Sequence, residues 1–292
     1  MNDFTIRDLE NLSGIKAHTI RIWEQRYNFL KPRRTDTNIR YYSNEELKTL
    51  LNISLLNKYG YKLCHIDQMQ PDEICKTILL LQNEEAVQDR VVNDLVKGMV
   101  DLQIPFFEST LSSYISDHGI EKTIHEIIFP FLEKIGILWL TGHIMPAQEH
   151  FVTNIIRQKI IFAIETVIPE KAMDKTVLLF LPEGEHHELG LLFLHYLVKK
   201  QGAKVVYLGA NVPLKDIKNI VCTIQPQIAF IHLTSGCPNY NFEKLIQSIP
   251  SCLDNLHTII SGNLAQRCEK LLPSTISFKK SFPEIMDFIK EM

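Results

Sequence analysis

The chain has 292 residues, 45% hydrophobic and 22% charged, an ordinary globular composition with length for about two domains. A formal net charge of −3 excludes a uniformly basic nucleic-acid coat, though a whole-chain sum can hide a local patch. Six cysteines (Cys64, Cys75, Cys222, Cys237, Cys252, Cys268) form no C-x-x-C pair, so neither a zinc knuckle nor a disulfide framework is indicated and reduced intracellular thiols are expected.

The amino terminus carries acids where a secretory signal would carry an apolar core, and no apolar run reaches the roughly 20 residues that span a bilayer. A cytoplasmic protein without a membrane partner is expected. Thr5 precedes a short helical pattern over 6–12, with Thr5 as N-cap and Asp8 at the capping-box position. Ser13-Gly14 stops it, and a second helix is expected over 17–27. Two short helices joined through a glycine turn form the helix-turn-helix pattern, in which the second helix enters the major groove.

Residues 14–43 hold seven bases (Lys16, Arg21, Arg26, Lys31, Arg33, Arg34, Arg40) against two acids (Glu24, Asp36), interleaved with Trp23, Tyr27, Tyr41 and Tyr42. That composition suits phosphate contact on a rigid aromatic base. Residues 30–43 read as a hairpin with a polar tip, a wing. A solvated helical hairpin with a basic face would carry the same charge.

The runs Thr5-Ile-Arg-Asp-Leu9, Thr19-Ile-Arg-Ile-Trp-Glu-Gln-Arg-Tyr27 and Arg40-Tyr-Tyr-Ser43 resemble the winged helix-turn-helix of MerR-type transcriptional regulators. The resemblance implies that Thr19, Arg21, Arg26 and Tyr27 face operator DNA while Arg33, Arg34, Arg40 and Tyr41 secure the wing. Trp23 is read as core. A helix over 44–59 follows, with Leu47, Leu50, Leu51, Ser54 and Leu55 on one face. The long coiled coil usual after such a head is missing, because Pro71-Asp72 marks a new start.

Helical patterns over 72–82, 84–102, 105–117, 119–140 and 146–167 predict a bundle, with apolar residues such as Ile124, Ile127, Ile128, Phe131 and Leu132 recurring at three and four. Within it Trp139 is followed, after nine residues, by Glu149-His150. An acid and a histidine at a helix start can be only a capping carboxylate beside a solvated ring. The Trp-x9-Glu-His spacing also resembles the cap of cobalamin-binding photoreceptor repressors of the CarH/LitR type, and that resemblance implies that Trp139, Glu149 and His150 cover the upper face of a corrin ring and its adenosyl group.

From 174 onward strands and helices alternate. Strands are expected over 176–181, 204–208, 228–234, 257–261 and 275–278. Helices are expected over 188–200, 214–224, 241–248, 264–271 and 283–290. Short continuous apolar runs indicate strands buried on both faces, hence a parallel sheet, and five such units make a flavodoxin-like doubly wound domain. The first strand is followed by Glu185-x-His187-x-x-Gly190 and not by a glycine-rich phosphate loop, so dinucleotide and P-loop readings fail. A neutral imidazole suits a borderline metal, a nearby carboxylate can accept its other N–H, and a glycine permits close approach of a bulky planar ligand. A loop histidine after a strand can equally be only solvated.

The family's D/E-x-H-x-x-G run is followed by S-x-L and then Gly-Gly. Here 41 residues separate Gly190 from His232-Leu233-Thr234, and 26 more lead to Ser261-Gly262. The resemblance implies cobalt ligation by His187, backed by Glu185, with His232, Thr234, Ser261 and Gly262 around the cofactor's buried nucleotide. Three residues depart from it. His232 is larger than serine, Ser261 replaces a glycine, and Leu140 stands where light-switched members place a second cobalt-ligating histidine. His186 is a rival ligand, although the spacing to Gly190 favours His187.

The expected protein is multidomain, α and α/β. It has a winged helix-turn-helix over 1–72, a cobalamin-capping helical bundle over 73–170, and a Rossmann-like cobalamin-binding domain with a doubly wound parallel sheet over 171–292. The resemblance implies no enzyme but a cobalamin-responsive, light-responsive repressor of carotenoid or photoprotection genes. It would use adenosylcobalamin and bind double-stranded operator DNA as a homo-oligomer, dimer or tetramer. The alternative is a cobalamin-independent regulator of the same fold.

Overall fold

The structure, a computed structural model, describes residues 4–140, 142–234, 242–266 and 273–292, with the backbone alone at Leu140, Ala265 and Gln266. By packing, the chain divides into two units, Met1–Ile155 and Ile156–Met292.

The first unit opens with α1 (Ile6–Ser13) and α2 (Ala17–Arg26). The expected capping box forms: Thr5 N donates to Asp8 Oδ2 at 2.7 Å, and Asp8 N donates to Thr5 Oγ1 at 3.4 Å. Gly14 ends α1 at φ 74°, and its N–H bonds the Glu10 carbonyl, a left-handed cap that costs glycine nothing. The wing is a minimal antiparallel pair, β1 (Arg33–Arg34) and β2 (Arg40–Tyr41). Phe4 bridges Tyr42 beside it. Ser43 and Glu46 form a second capping box that starts α3 (Asn44–Lys58). Phe4, Leu9, Leu12, Ile20, Trp23, Tyr42, Leu47, Leu50 and Leu51 bury together. Each such side chain withdrawn from water contributes about 1.5–3 kcal/mol.

The short α4 (Leu63–Ile66), which the sequence pattern does not predict, and α5 (Pro71–Leu79) lead to the bundle. Its helices are α6 (Glu84–Val100), α7 (Ile104–His118), α8 (Ile120–Thr123), α9 (Phe129–Leu140) and the start of α10 (Pro146–Thr166), which from Ile156 onward belongs to the second unit. The single helix expected over 119–140 is interrupted by a π-helical turn, Ile124–Ile128, in which Phe129 N reaches back to the Ile124 carbonyl. Pro130 has no N–H to continue the regular ladder, and the widened turn accommodates that loss. Phe107 packs on Phe131 and Phe151 with centroids 5.5 and 5.6 Å away.

The head and most of the bundle share this unit and are tied by polar contacts. Asp101, after α6, accepts from Lys48 Nζ at 2.7 Å and Asn44 Nδ2 at 3.1 Å. The turn after α9 also approaches α1, where His143 Nδ1 lies 3.2 Å from Oδ2 of the fully buried Asp8 without hydrogen-bond geometry.

The second unit alternates β3 (Thr176–Pro182), α11 (Leu189–Lys200), β4 (Lys204–Val212), α12 (Leu214–Ile224), β5 (Ile228–His232), α13 (Phe242–Cys252), β6 (Thr258–Ser261), α14 (Asn263–Gln266), β7 (Ile276–Lys279) and α15 (Phe282–Glu291). All five strands are parallel, in the order β4-β3-β5-β6-β7. This is the flavodoxin-like order, in which the chain reverses direction across the sheet beside its first strand and leaves a crevice at the strands' carboxyl ends. Val177–Leu181 and Ala229–Ile231 are inaccessible to solvent, as strands covered on both faces must be. β4 runs four residues past the predicted 208, because register shifts after Leu179 allow Gly209, at φ 79°, to pair with Phe180 and Val212 with Pro182. Among the described residues no helix is long and apolar enough to cross a membrane.

Candidate cofactor site and nucleic-acid interface

The crevice is organised by one carboxylate. Glu185, in the loop between β3 and α11, is only 2% exposed and accepts hydrogen bonds on both of its oxygens. Its Oε1 takes the backbone N–H groups of His186 and His187, both at 3.0 Å, and His187 Nδ1 at 2.7 Å. Its Oε2 takes the Thr234 N–H at 3.1 Å. These bonds satisfy an otherwise costly buried charge and fix the His187 ring. With Nδ1 given to the carboxylate, the acceptor nitrogen of the ring is Nε2, and such a partner raises an imidazole's basicity. The His187 side chain is 61% exposed. Asn211, at the end of β4, steadies the turn by accepting from Gly184 N at 2.9 Å. His186 uses only its backbone toward Glu185, so this orienting carboxylate serves His187.

His232 ends β5 directly opposite Ser261 on β6, and its Nδ1 lies 2.9 Å from Ser261 Oγ. Its ring rests on Gly190: a Cβ at that glycine would meet His232 Cδ2 and Nε2, each at 2.4 Å. Burial pushes its pKa down to about 4, against an opposing pull from Glu185, and the ring is neutral at neutral pH. Gly262, at φ 96°, is required by backbone, since a Cβ there would lie 2.3 Å from the Leu233 carbonyl oxygen. Glu185, His187, Gly190, His232, Thr234, Ser261 and Gly262 are thus brought to one edge of the sheet. The glycine spaces expected to serve a ligand are taken by His232 and by the backbone of Leu233.

Sequence reasoning missed a second carboxylate in this loop. Glu188 accepts from Tyr207 Oη at 2.8 Å and pairs with Arg157 at 3.5 Å, and together with burial it holds the Tyr207 phenol protonated well above its ordinary range. The adjoining acids of Glu-His-His-Glu were the available signal, but their partners lie in other elements.

In the first unit Trp139 sits near the end of α9 with 49% of its surface exposed. Glu149 lies in the first turn of α10 and His150 follows it, their side chains 3.0 Å apart. Thr141 and the side chain of Leu140 lie outside the described residues.

At the head, Arg21, Arg26, Arg33 and Arg34 are exposed, and Thr19, Tyr27 and Tyr41 are half-buried. Arg34 bonds Asn38 across the wing tip at 2.7 Å, and Tyr27 stacks on Phe29. Arg40 differs from the other arginines. Its Nε donates to Glu24 Oε2 at 2.9 Å, and Tyr42 Oη donates to the other oxygen of that carboxylate, so Arg40 braces the wing against α2. Trp23 is buried, as expected.

Residues 4–73 match the model of the MerR HTH family regulatory protein, and residues 87–162 match that of the B12 binding domain. The chain is 24% identical over 279 residues to the HTH-type transcriptional repressor CarH of Myxococcus xanthus, covering 92% of this chain and 93% of that protein. It is 26% identical over 260 residues to the HTH-type transcriptional repressor CarA of the same organism, covering 88% and 85%. The monomethylamine corrinoid protein of Methanosarcina barkeri shares the fold, with a TM-score of 0.50 at 11% identity over 70% of this chain and 95% of that one. The chain therefore carries a MerR-type head and a B12-binding module and is a homologue of the two repressors.

Proposed function

We propose that this MerR-type, B12-binding homologue of the Myxococcus repressors is a corrinoid-responsive transcriptional repressor in which His187 ligates cobalt through Nε2. The observation that carries the reading is the Glu185–His187 pair on the loop after β3. Among the described residues no group of three ligating side chains could hold a bare metal ion. A cobalt that brings its own equatorial macrocycle needs only one imidazole, oriented by a carboxylate, and this donor set fits it.

In this reading residues 1–72 bind operator DNA, 73–170 cap the cofactor through Trp139, Glu149 and His150, and 171–292 hold it. Thr19, Arg21, Arg26 and Tyr27 meet the duplex, and Arg33 and Arg34 flank it from the wing. The cofactor carries an adenosyl upper ligand, and the DNA-bound form is a cytoplasmic homo-oligomer on a palindromic site. Leu140 has no ligating atom, so light cannot act here by handing cobalt to the residue after Trp139.

The test is a spectrum of the full chain after incubation in the dark with adenosylcobalamin or its nucleotide-free counterpart adenosylcobinamide, followed by desalting. A coloured protein with nitrogen-ligated cobalt, lost in His187→Ala, is expected. Protein left colourless by both corrinoids, or a variant indistinguishable from the parent, overturns the reading. A cobalamin-independent regulator is the second reading, favoured by the His232 ring lying against Gly190. It predicts the colourless result together with unaltered DNA binding.

A further inference from the structure

We propose that His232 makes this site selective for corrinoids that lack a lower nucleotide. The inference rests on the reading that His187 is the lower cobalt ligand, and it concerns what that ligation leaves room for. In a complete cobalamin the nucleotide hangs from the face of the ring to which its own base would ligate cobalt. When a protein imidazole takes that position, the nucleotide is displaced but stays tethered to the same face, and must find space beside the ligand loop.

Gly190, three residues after His187, is the backbone position at which such space would be expected. It is filled: an added Cβ would lie 2.4 Å from two atoms of the His232 ring, so the imidazole already packs against the bare α-carbon. The ring is also held there. Strand register sets His232 opposite Ser261, the Nδ1–Oγ distance is 2.9 Å, and Ser261 is fully buried, so withdrawing the ring would strand a buried hydroxyl without its partner. Retreat of the chain after β5 is opposed as well, because Thr234 N is bound to the carboxylate that positions His187. The next glycine offers no alternative, since the Leu233 backbone occupies the space beside Gly262. Among the described residues, a large lower nucleotide therefore competes with His232, whereas a ring without one does not.

The experiment compares hydroxocobalamin and aquohydroxocobinamide, both cobalt(III), by absorbance titration of the full chain, its His232→Ser and His232→Ala variants, and His187→Ala. Displacing the base from cobalt has a cost in every protein, so the deciding quantity is the change in affinity ratio between wild type and variant. Expected is a preference for the cobinamide that shrinks about tenfold or more in either His232 variant, through tighter hydroxocobalamin binding with cobinamide binding nearly unchanged. A ratio unchanged in a variant whose circular dichroism and thermal unfolding match the parent overturns the proposal and leaves cobalt ligation standing. A series on the wild type needs no variant: affinity should rise as the lower base is reduced from dimethylbenzimidazole to benzimidazole to none beyond the rise that the same series shows toward free imidazole in solution, and an equal rise overturns the proposal. Failure of wild type and variants to bind either corrinoid, or His187→Ala binding both as the parent does, overturns the cobalt-ligand reading and this inference with it.

Discussion

Glu185 shows what one buried side chain can impose. Its two oxygens receive three backbone N–H groups and one ring nitrogen, so replacing it by glutamine puts an amide NH2 against donors. Glu185→Gln should weaken corrinoid retention by about 10–100-fold, the usual loss for a partner behind a metal-bound histidine, read by absorbance after desalting. Unchanged retention would show that His187 needs no such partner. His232 has a separate signature. Burial holds its pKa at about 4 and that of His195 near the same value, both below the ordinary 6.5. The native ring therefore stays neutral over a range in which the unfolded chain takes up a proton, and stability is lost as pH falls from about 6.5 toward 4. From His232 alone the loss is about 2 kcal/mol by pH 5. Urea unfolding at pH 7 and pH 5 should show His232→Ser losing less on acidification than the parent. The pairing of Glu185 with His187 was legible in the sequence because acid and histidine are two residues apart. The contact of His232 with Gly190 was not, since it depends on how β5 and α11 come together.

At the level of elements, helix ends were the most readable features. Thr5 with Asp8 is a local pattern legible in the sequence, and that box forms; the Ser43–Glu46 box, equally local, was not singled out there. The π turn of Ile124–Ile128 needed the consequence of Pro130 to be followed back a full turn, and the extension of β4 needed a register shift that no run of residues announces. Asp8 has a second role that local pattern does not reveal, because His143 from the far end of the bundle meets it. Asp8→Ala should lower stability by about 1 kcal/mol or more by removing the buried carboxylate that accepts from Thr5 N and Thr5 Oγ1, and His143→Ala should lower it less. Urea melts of both variants check this, and an Asp8→Ala melt matching the parent would refute it. The basic residues of the head also separate by environment. Exposed Arg21, changed to alanine, should reduce DNA affinity and lower the salt slope by about 1. Arg40→Ala should instead destabilise the head by roughly 1–2 kcal/mol, by leaving Glu24, largely shielded from water, without its cation. Equal salt slopes for Arg21→Ala and the parent would remove Arg21 from the interface.

On the scale of the whole molecule, the order of reader, bundle and doubly wound sheet was legible because each has its own periodicity and punctuation: charge with aromatics, then threes and fours, then short apolar runs. What sequence pattern could not give was the packing that makes one unit of the head and most of the bundle, since the tie from Asp101 to Lys48 and the approach of His143 to Asp8 join residues far apart in the chain. The central claim is that a corrinoid held by His187 controls DNA binding. Its most direct test is the affinity of the full chain, in the dark, for a duplex it has itself selected from a random-sequence pool, at fixed salt, with and without adenosylcobinamide or adenosylcobalamin. Binding at least tenfold tighter with corrinoid in the parent, and no change in His187→Ala, is the predicted result. Superimposable curves with and without corrinoid in the parent, or the same shift in the variant, would contradict it.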